Sequence, residues 1–313
     1  MLGYVARRVF AAIPVMVMVA IIIFLLLRLT PGDPAAIIAG DTATPEQIAA
    51  IRERLGLNEP LLVQFFTWMG RLLQGDLGIS ILSNVPVAGM IAQRFEPTLA
   101  LATTTIVFAI LVAVPLGTLA AWRHGSWIDR AVMTVSVVGF SVPVFVVGYV
   151  WIYLFAMKLG VLPVQGYRSI DGGFWPFLER LILPTITLSL IYIALIARIT
   201  RTSLLEVLNE DYVRTARAKG LGEAAVLFGH ALRNAAVPIV TVIGIGVALL
   251  ISGVVVTESV FNLPGLGRLT VDAVLARDYP VIQGVILLFS GIYLLVNLVI
   301  DVLYTFLDPR IRY

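Results

Sequence analysis

The sequence predicts an all-α membrane protein of six transmembrane helices, and three observations carry that prediction. First, the 313 residues are 59% hydrophobic and 13% charged, against roughly 45–50% and 25% in soluble globular chains; the mean hydropathy is +0.98. Second, the charges fence off six long apolar runs. Third, arginine and lysine gather in alternate connecting segments. The absence of cysteine excludes disulfide scaffolds, thiol catalysis and Cys-ligated zinc or iron–sulfur centres. A net charge of +3 is too small to predict nucleic-acid binding.

The uncharged runs comprise 19 residues between Arg8 and Arg28, 26 between Glu96 and Arg123, and 27 between Arg130 and Lys158. They continue with 17 between Arg180 and Arg198, 24 between Arg233 and Glu258, and 22 between Asp278 and Asp301. A helix needs about 20 apolar residues, range 17–25, to cross a hydrocarbon layer about 30 Å thick. All six reach that window. Helices buried in a soluble domain would carry a polar face at helical period, which these runs lack. Arg7 and Arg8 precede the first run as in a secretory signal, but the run exceeds the roughly 7–15 residues of a signal core. It is read as an uncleaved first helix.

With the N-terminus in the cytoplasm, the inner segments are 1–8, 122–130, 198–234 and 308–313. They hold twelve Arg or Lys against six Asp or Glu. The outer segments, 30–97, 158–180 and 259–280, are nearly twice as long in total and hold nine against eleven. Positive charge inside predicts that both termini are cytoplasmic.

In the long outer segment, Thr44-Pro45-Glu46-Gln47 offers an N-cap, a first-turn proline and a capping-box glutamine. Ile48, Ile51 and Leu55 follow on one face, and Gly56 is a natural stop. A second amphipathic stretch opens at Pro60, with Leu61, Phe65, Trp68 and Leu72 on one side. Such helices lie on a membrane surface or cap a partner protein; the sequence leaves both open.

The inner segment 198–234 is the most informative. Leu205, Leu208 and Tyr212 stand at helical spacing, Ala216 and Ala218 are small, and Arg214 and Arg217 are i,i+3 neighbours. Gly220 suits a left-handed stop and is expected to take a positive φ. A second helical stretch runs to Arg233. A short helix with a small, knob-like surface around Ala216 and flanking basic residues is built to dock into a groove on another protein. A loop that only enforced topology would need no such pattern.

The run DYVRTARAKGLG followed by HALRNAAVPIVT resembles the cytoplasmic EAA-type loop of bacterial ABC-importer permeases, in the version of the dipeptide/oligopeptide family. The likeness extends almost end to end, through LTPGDPA, LGLNEPLLVQF, GDLGIS, ESVFNLPGLGRL, RDYPVIQG and NLVIDVLYTFLDPRIRY. Ala216 and Gly220 match the loop's alanine and glycine, while Thr215 stands where the acidic residue that names the motif would be.

The resemblance implies a type I importer permease fold with an extended periplasmic segment between the first two helices. It divides the chain into a first helix (1–29), an extracytoplasmic segment (30–97), a five-helix permease core (98–307, including the coupling loop 198–234) and a cytoplasmic tail (308–313). It implies a subunit of a bacterial inner-membrane importer for di- or oligopeptides; glutathione, nickel chelates and oligosaccharides are the alternatives within the class. The implied partners are a homologous second permease, two cytoplasmic ATPase subunits that hold ATP and Mg, an extracytoplasmic substrate-binding protein and membrane lipid. No cofactor, metal or nucleic acid is implied for this chain itself. Asp211, Tyr212, Arg214, Thr215, Ala216, Arg217, Ala218, Lys219 and Gly220 would form the coupling helix.

The residues agree with a subunit that does no chemistry. A Walker A loop needs Gly-Lys-Ser/Thr, but Lys158 precedes Leu and Lys219 precedes Gly. His124 and His230 fall in inner segments, so haem ligation across helices is excluded. An ion-coupled secondary transporter is the rival reading, since such proteins use ionisable residues near the midplane. Glu258 and Asp301, the candidates, lie near helix ends.

Small residues recur every four positions in the second span (Ala109, Ala113, Gly117, Ala121) and in the fifth (Gly244, Ala248, Ser252), predicting close helix contact. Pro115, Pro143 and Pro184 are candidate kinks. In the sixth span Ser290, Tyr293, Asn297, Asp301 and Tyr304 share a face that lines a path or bonds neighbouring helices.

Overall fold

The computed structural model describes residues 2–29, 33–39, 43–54 and 56–307. Residues 30–32, Leu55, the Tyr304 side chain and the 308–313 tail lie outside what is described. Among the described residues the regular structure is helical, apart from one isolated β-bridge between Ile79 and Pro86. Among the described residues five helices are long and apolar enough to cross a membrane, or six where the bent pair Trp127–Ser141 and Val144–Lys158 counts as one span.

The chain forms two units, residues 1–95 with 269–294, and residues 96–268 with 295–313. In the first unit, α1 (Leu2–Leu29) supplies the first span. Next, α2 (Pro34–Ala39) starts on Asp33, whose carboxylate accepts the Ala35 N–H at 3.0 Å and pairs with Arg52. The capping box forms at α3 (Pro45–Arg54): the Thr44 N–H donates to Gln47 Oε1 at 2.9 Å, and the Gln47 N–H returns to Thr44 Oγ1 at 3.4 Å. Gly56 ends that segment at φ +66°. In α4 (Leu61–Leu73), Phe65 meets Phe24 of α1 edge-on and Trp68 lies tilted against it. The GDLGIS segment is pinned by the buried Asp278 carboxylate, which accepts from the Ser80 hydroxyl at 2.5 Å and the Ile81 N–H at 3.2 Å.

The 36-residue α5 (Val87–Trp122), about 54 Å long at 1.5 Å per residue, leads into the second unit. There Ala109, Ala113 and Ala121 are buried. A Cβ on Gly117 would sit 2.5 Å from the Ala197 carbonyl oxygen and 2.7 Å from Thr200 Cβ. At Gly117 the second-span stripe approaches α8 so closely that only glycine fits.

The third apolar run is not one straight helix. α6 (Trp127–Ser141) and α7 (Val144–Trp151, continued by a π-helical stretch to Lys158) meet at a 103° bend. Pro143 explains the break. It has no N–H to donate, and its ring forces Val142 into extended backbone, φ −87°, ψ 127°. Pro115 and Pro184, by contrast, sit inside continuous helices.

The central element of the unit is α8 (Phe174–Leu208), which buries Leu181, Leu188, Tyr192 and Ile196. Beyond it come α9 (Asp211–Ala218), a π-helical turn (Ala225–Ala231), α10 (Leu232–Asn234), α11 (Ala236–Val260), α12 (Leu266–Leu275) and α13 (Tyr279–Leu307). On α11 the expected stripe holds only in part. Gly244 is buried against Ile300, but Ser252 is exposed. The α8 seam is made instead by Gly246 and Gly253: a Cβ on the first would lie 3.3 Å from the Tyr192 ring, and one on the second 2.7 Å from Leu188.

Candidate coupling site

α8 ends at Leu208, and Asn209 and Glu210 turn the chain into the eight-residue α9. A helix this short has little stability of its own; neighbouring groups hold it. Asp211 in its first turn complements the helix dipole and pairs with Arg214. Arg217 in its last turn donates to both Glu223 oxygens, at 2.9 and 3.2 Å. The Leu221 N–H returns to the Ala216 carbonyl and the Gly220 N–H to that of Arg217, which is a Schellman stop. Gly220 takes φ +81°, as that stop requires, and a Cβ there would meet nothing within 4 Å.

The position of Ala216 corrects the sequence reading. Ala216 is not a knob on the outer surface: it is buried with Val213 and Val226, packed by Val207 and Leu208. Val213 and Ala216, three residues apart, share the inward face of an amphipathic helix. The outward surface consists of Asp211, Tyr212, Arg214, Thr215, Arg217, Ala218, Lys219 and Gly220. Tyr212 is 42% exposed. Burial of the rest of its ring raises the phenol pKa above the ordinary tyrosine range, and the Glu210 charge adds to this. The result is a compact face of one aromatic ring, an aspartate, two arginines, a lysine and two small side chains, with a net positive charge.

Sequence reasoning missed the anchor behind it. Asp129, at the start of α6, is 4% exposed. Arg201 of α8 grips its carboxylate from Nε at 2.5 Å and Nη2 at 2.8 Å, the two-pronged geometry that makes such pairs strong. The Gly125 N–H donates to the same carboxylate at 3.0 Å, and His124 Nδ1 lies 3.1 Å from it. The clamp joins the α5–α6 turn to α8 seven residues before that helix ends. His124 and Asp129 read only as loop residues, because 72 positions separate Asp129 from Arg201.

A second missed site is Glu258, weighed in sequence only as a proton carrier. It is fully buried at the end of α11. Its carboxylate accepts the Thr98 hydroxyl at 2.5 Å and the Arg268 N–H at 3.0 Å, while Thr98 Oγ1 accepts the Leu266 N–H at 2.8 Å. Gly265 packs directly on the carboxylate, and a Cβ on Gly267 would lie 2.6 Å from Val255 Cα. The NLPGLGR segment therefore wraps an acidic anchor.

On α13, Ser290, Asn297 and Asp301 are half-buried and Tyr293 is exposed. The Ser290 hydroxyl donates to the Ile286 carbonyl at 2.8 Å. Tyr293, Asn297 and Asp301 each have an interaction within the chain.

A family described as "Binding-protein-dependent transport system inner membrane component" matches residues 113–313. The N-terminal family of the same transport systems matches residues 1–102. The chain belongs to this permease family. As a permease, it is 59% identical over 310 residues to a probable peptide ABC transporter permease of Sinorhizobium fredii, covering 99% of each chain. It is 46% identical over 313 residues to the glutathione transport system permease of Escherichia coli K12, covering 100% of both. Among solved structures, the inward-facing MetNI methionine ABC transporter matches with a TM-score of 0.58 at 18% identity, covering 70% of this chain and 96% of that one. The permease fold is thus that of a type I ABC importer subunit, all-α and membrane-spanning.

Proposed function

We propose that this chain forms half of the translocation path of an ATP-driven importer for di- or oligopeptides, in a bacterial inner membrane. A homologous second permease supplies the other half. An extracytoplasmic binding protein delivers substrate, and two cytoplasmic ATPase subunits hold ATP and Mg. In this reading, α9 seats in an ATPase groove, and ATP-driven closure of the ATPases moves α8 through the Asn209–Glu210 turn. Hydrolysis stays in the partners. The single observation that carries the reading is the outward face of α9: capped, positively charged, and bearing small residues at Thr215 and Ala218.

Peptides are favoured because both the relative named for peptides and the one named for glutathione, itself a tripeptide, align over nearly the whole chain. The purified complex in lipid discs tests this: its ATPase should be stimulated by binding protein loaded with short peptides. Stimulation by glutathione alone, a nickel chelate or an oligosaccharide would reassign the substrate. An ion gradient driving uptake without ATP would make it a secondary transporter.

The charge pattern supports both termini, and segments 122–130 and 198–234, on the cytoplasmic side. Single cysteines at the exposed positions Ser83 and Lys219 give opposite expectations in intact cells. Ser83→Cys should react with an impermeant thiol reagent and Lys219→Cys should not; the reverse pattern would invert the topology.

For the polar stripe of α13, Asn297 and Asp301 already have interactions within this chain, which favours a packing role over substrate contact. Asn297→Leu should lower the yield of assembled complex, at a cost of about 1–3 kcal/mol for a buried partner left unsatisfied. Full assembly with impaired transport, measured by co-purification and uptake, would assign the face to the path instead.

A further inference from the structure

α4 carries an apolar surface wider than its packing needs. At 100° per residue, Phe65, Trp68 and Leu72 lie on the side that meets α1, where Phe65 and Trp68 stand 5.3 and 5.8 Å from Phe24. Leu62, Phe66 and Leu73 fall together on the adjoining flank and are 72%, 68% and 81% exposed. Thr67 and Arg71, also exposed, occupy the opposite flank. Phe24 itself lies in the last turn of the first membrane span, Ala6–Leu25, whose outer surface at that level presents Ile21, Ile22 and Leu25.

We infer that α4 is sunk in the bilayer against α1, with Leu62, Phe66 and Leu73 among the acyl chains and Arg71 toward water. Three observations choose lipid over a soluble protein partner. The ridge flanks a face that packs on a membrane span, against Phe24 and the Ala20 and Ile23 level of α1. Its three side chains include no polar group, whereas a soluble partner that comes and goes leaves behind a face that must tolerate water. Trp68 sits at the junction, the depth at which membrane proteins concentrate tryptophan. A helix held this way braces the end of α1 from the side, as amphipathic interfacial helices do.

The chain has no cysteine, so the test is made in the assembled complex with partner cysteines replaced. Nitroxide labels go on Phe66→Cys, Leu73→Cys and Thr67→Cys, one at a time, in lipid discs. Collisions with dissolved oxygen, which partitions into lipid, are compared with collisions with a water-soluble nickel chelate. Positions 66 and 73 should favour oxygen and position 67 the chelate, with no change on adding binding protein. Chelate access at 66 and 73 would overturn the proposal by placing the ridge in water. Shielding of both positions from both reagents, or shielding that appears only with binding protein, would overturn it in favour of a protein contact.

Discussion

Gly220→Val should abolish uptake while leaving the permease inserted and assembled. Gly220 sits at φ +81° in the Schellman stop of α9, a region that costs an L-residue about 1–2 kcal/mol and a β-branched one more. The substitution meets no steric obstacle, since no neighbour lies within 4 Å. Its effect is therefore on backbone direction, and the last turn of α9 must open or tilt. The spans are untouched. Ala218→Glu, on the exposed face, should do the same by placing an acid where the outward surface is basic. Ala216→Glu is a poorer probe. Ala216 is buried beside Val213 and Val226, so the new charge would cost several kcal/mol in this chain's own packing whether or not anything docks outside. The readout is ATPase activity in lipid discs: both Gly220→Val and Ala218→Glu should lose stimulation by loaded binding protein while retaining assembly. Normal stimulation in both would remove α9 from the coupling role.

Glu258→Ala should prevent accumulation of folded permease. The carboxylate is fully buried and receives the Thr98 hydroxyl and the Arg268 N–H. Its removal strands two donors beside the core, at about 1–3 kcal/mol each, and opens a cavity beneath the NLPGLGR segment. Gly265→Val attacks the same anchor from the other side, since any Cβ there collides with the carboxylate. Glu258→Gln keeps the shape and the acceptor oxygen, so it should recover much of the folded protein. Thermal unfolding in detergent separates these cases. A Glu258→Ala protein as stable as the parent would show that the anchor contributes nothing to the fold.

What the sequence made legible follows from the kind of signal each feature leaves. The spans were plain because burial in hydrocarbon forbids charge over about 20 consecutive residues. The capping box at Thr44 and Gln47, and the left-handed stop at Gly220, were plain because both are local. The bend at Pro143 was visible as a proline, but so were Pro115 and Pro184, and the helices containing those two run on without a break. Spacing alone does not say which face of a short helix is packed. That is why Ala216 read as an outward knob, although the burial of Val213 and Val226 around it settles its direction. The Asp129–Arg201 clamp and the Glu258 anchor join positions 72 and 160 residues apart. No local pattern reports such a pair.

Cross-linking through the outward face of α9 shows directly whether that face docks on an ATPase subunit. A single cysteine at Thr215, exposed in the middle of that face, carries a short photo-activated cross-linker in the assembled complex. The expected result is a covalent adduct with an ATPase subunit, made from position 215 and absent from Ser83→Cys in the outer segment. An adduct with the binding protein, or none with an ATPase in a complex that still hydrolyses ATP and transports, would contradict it.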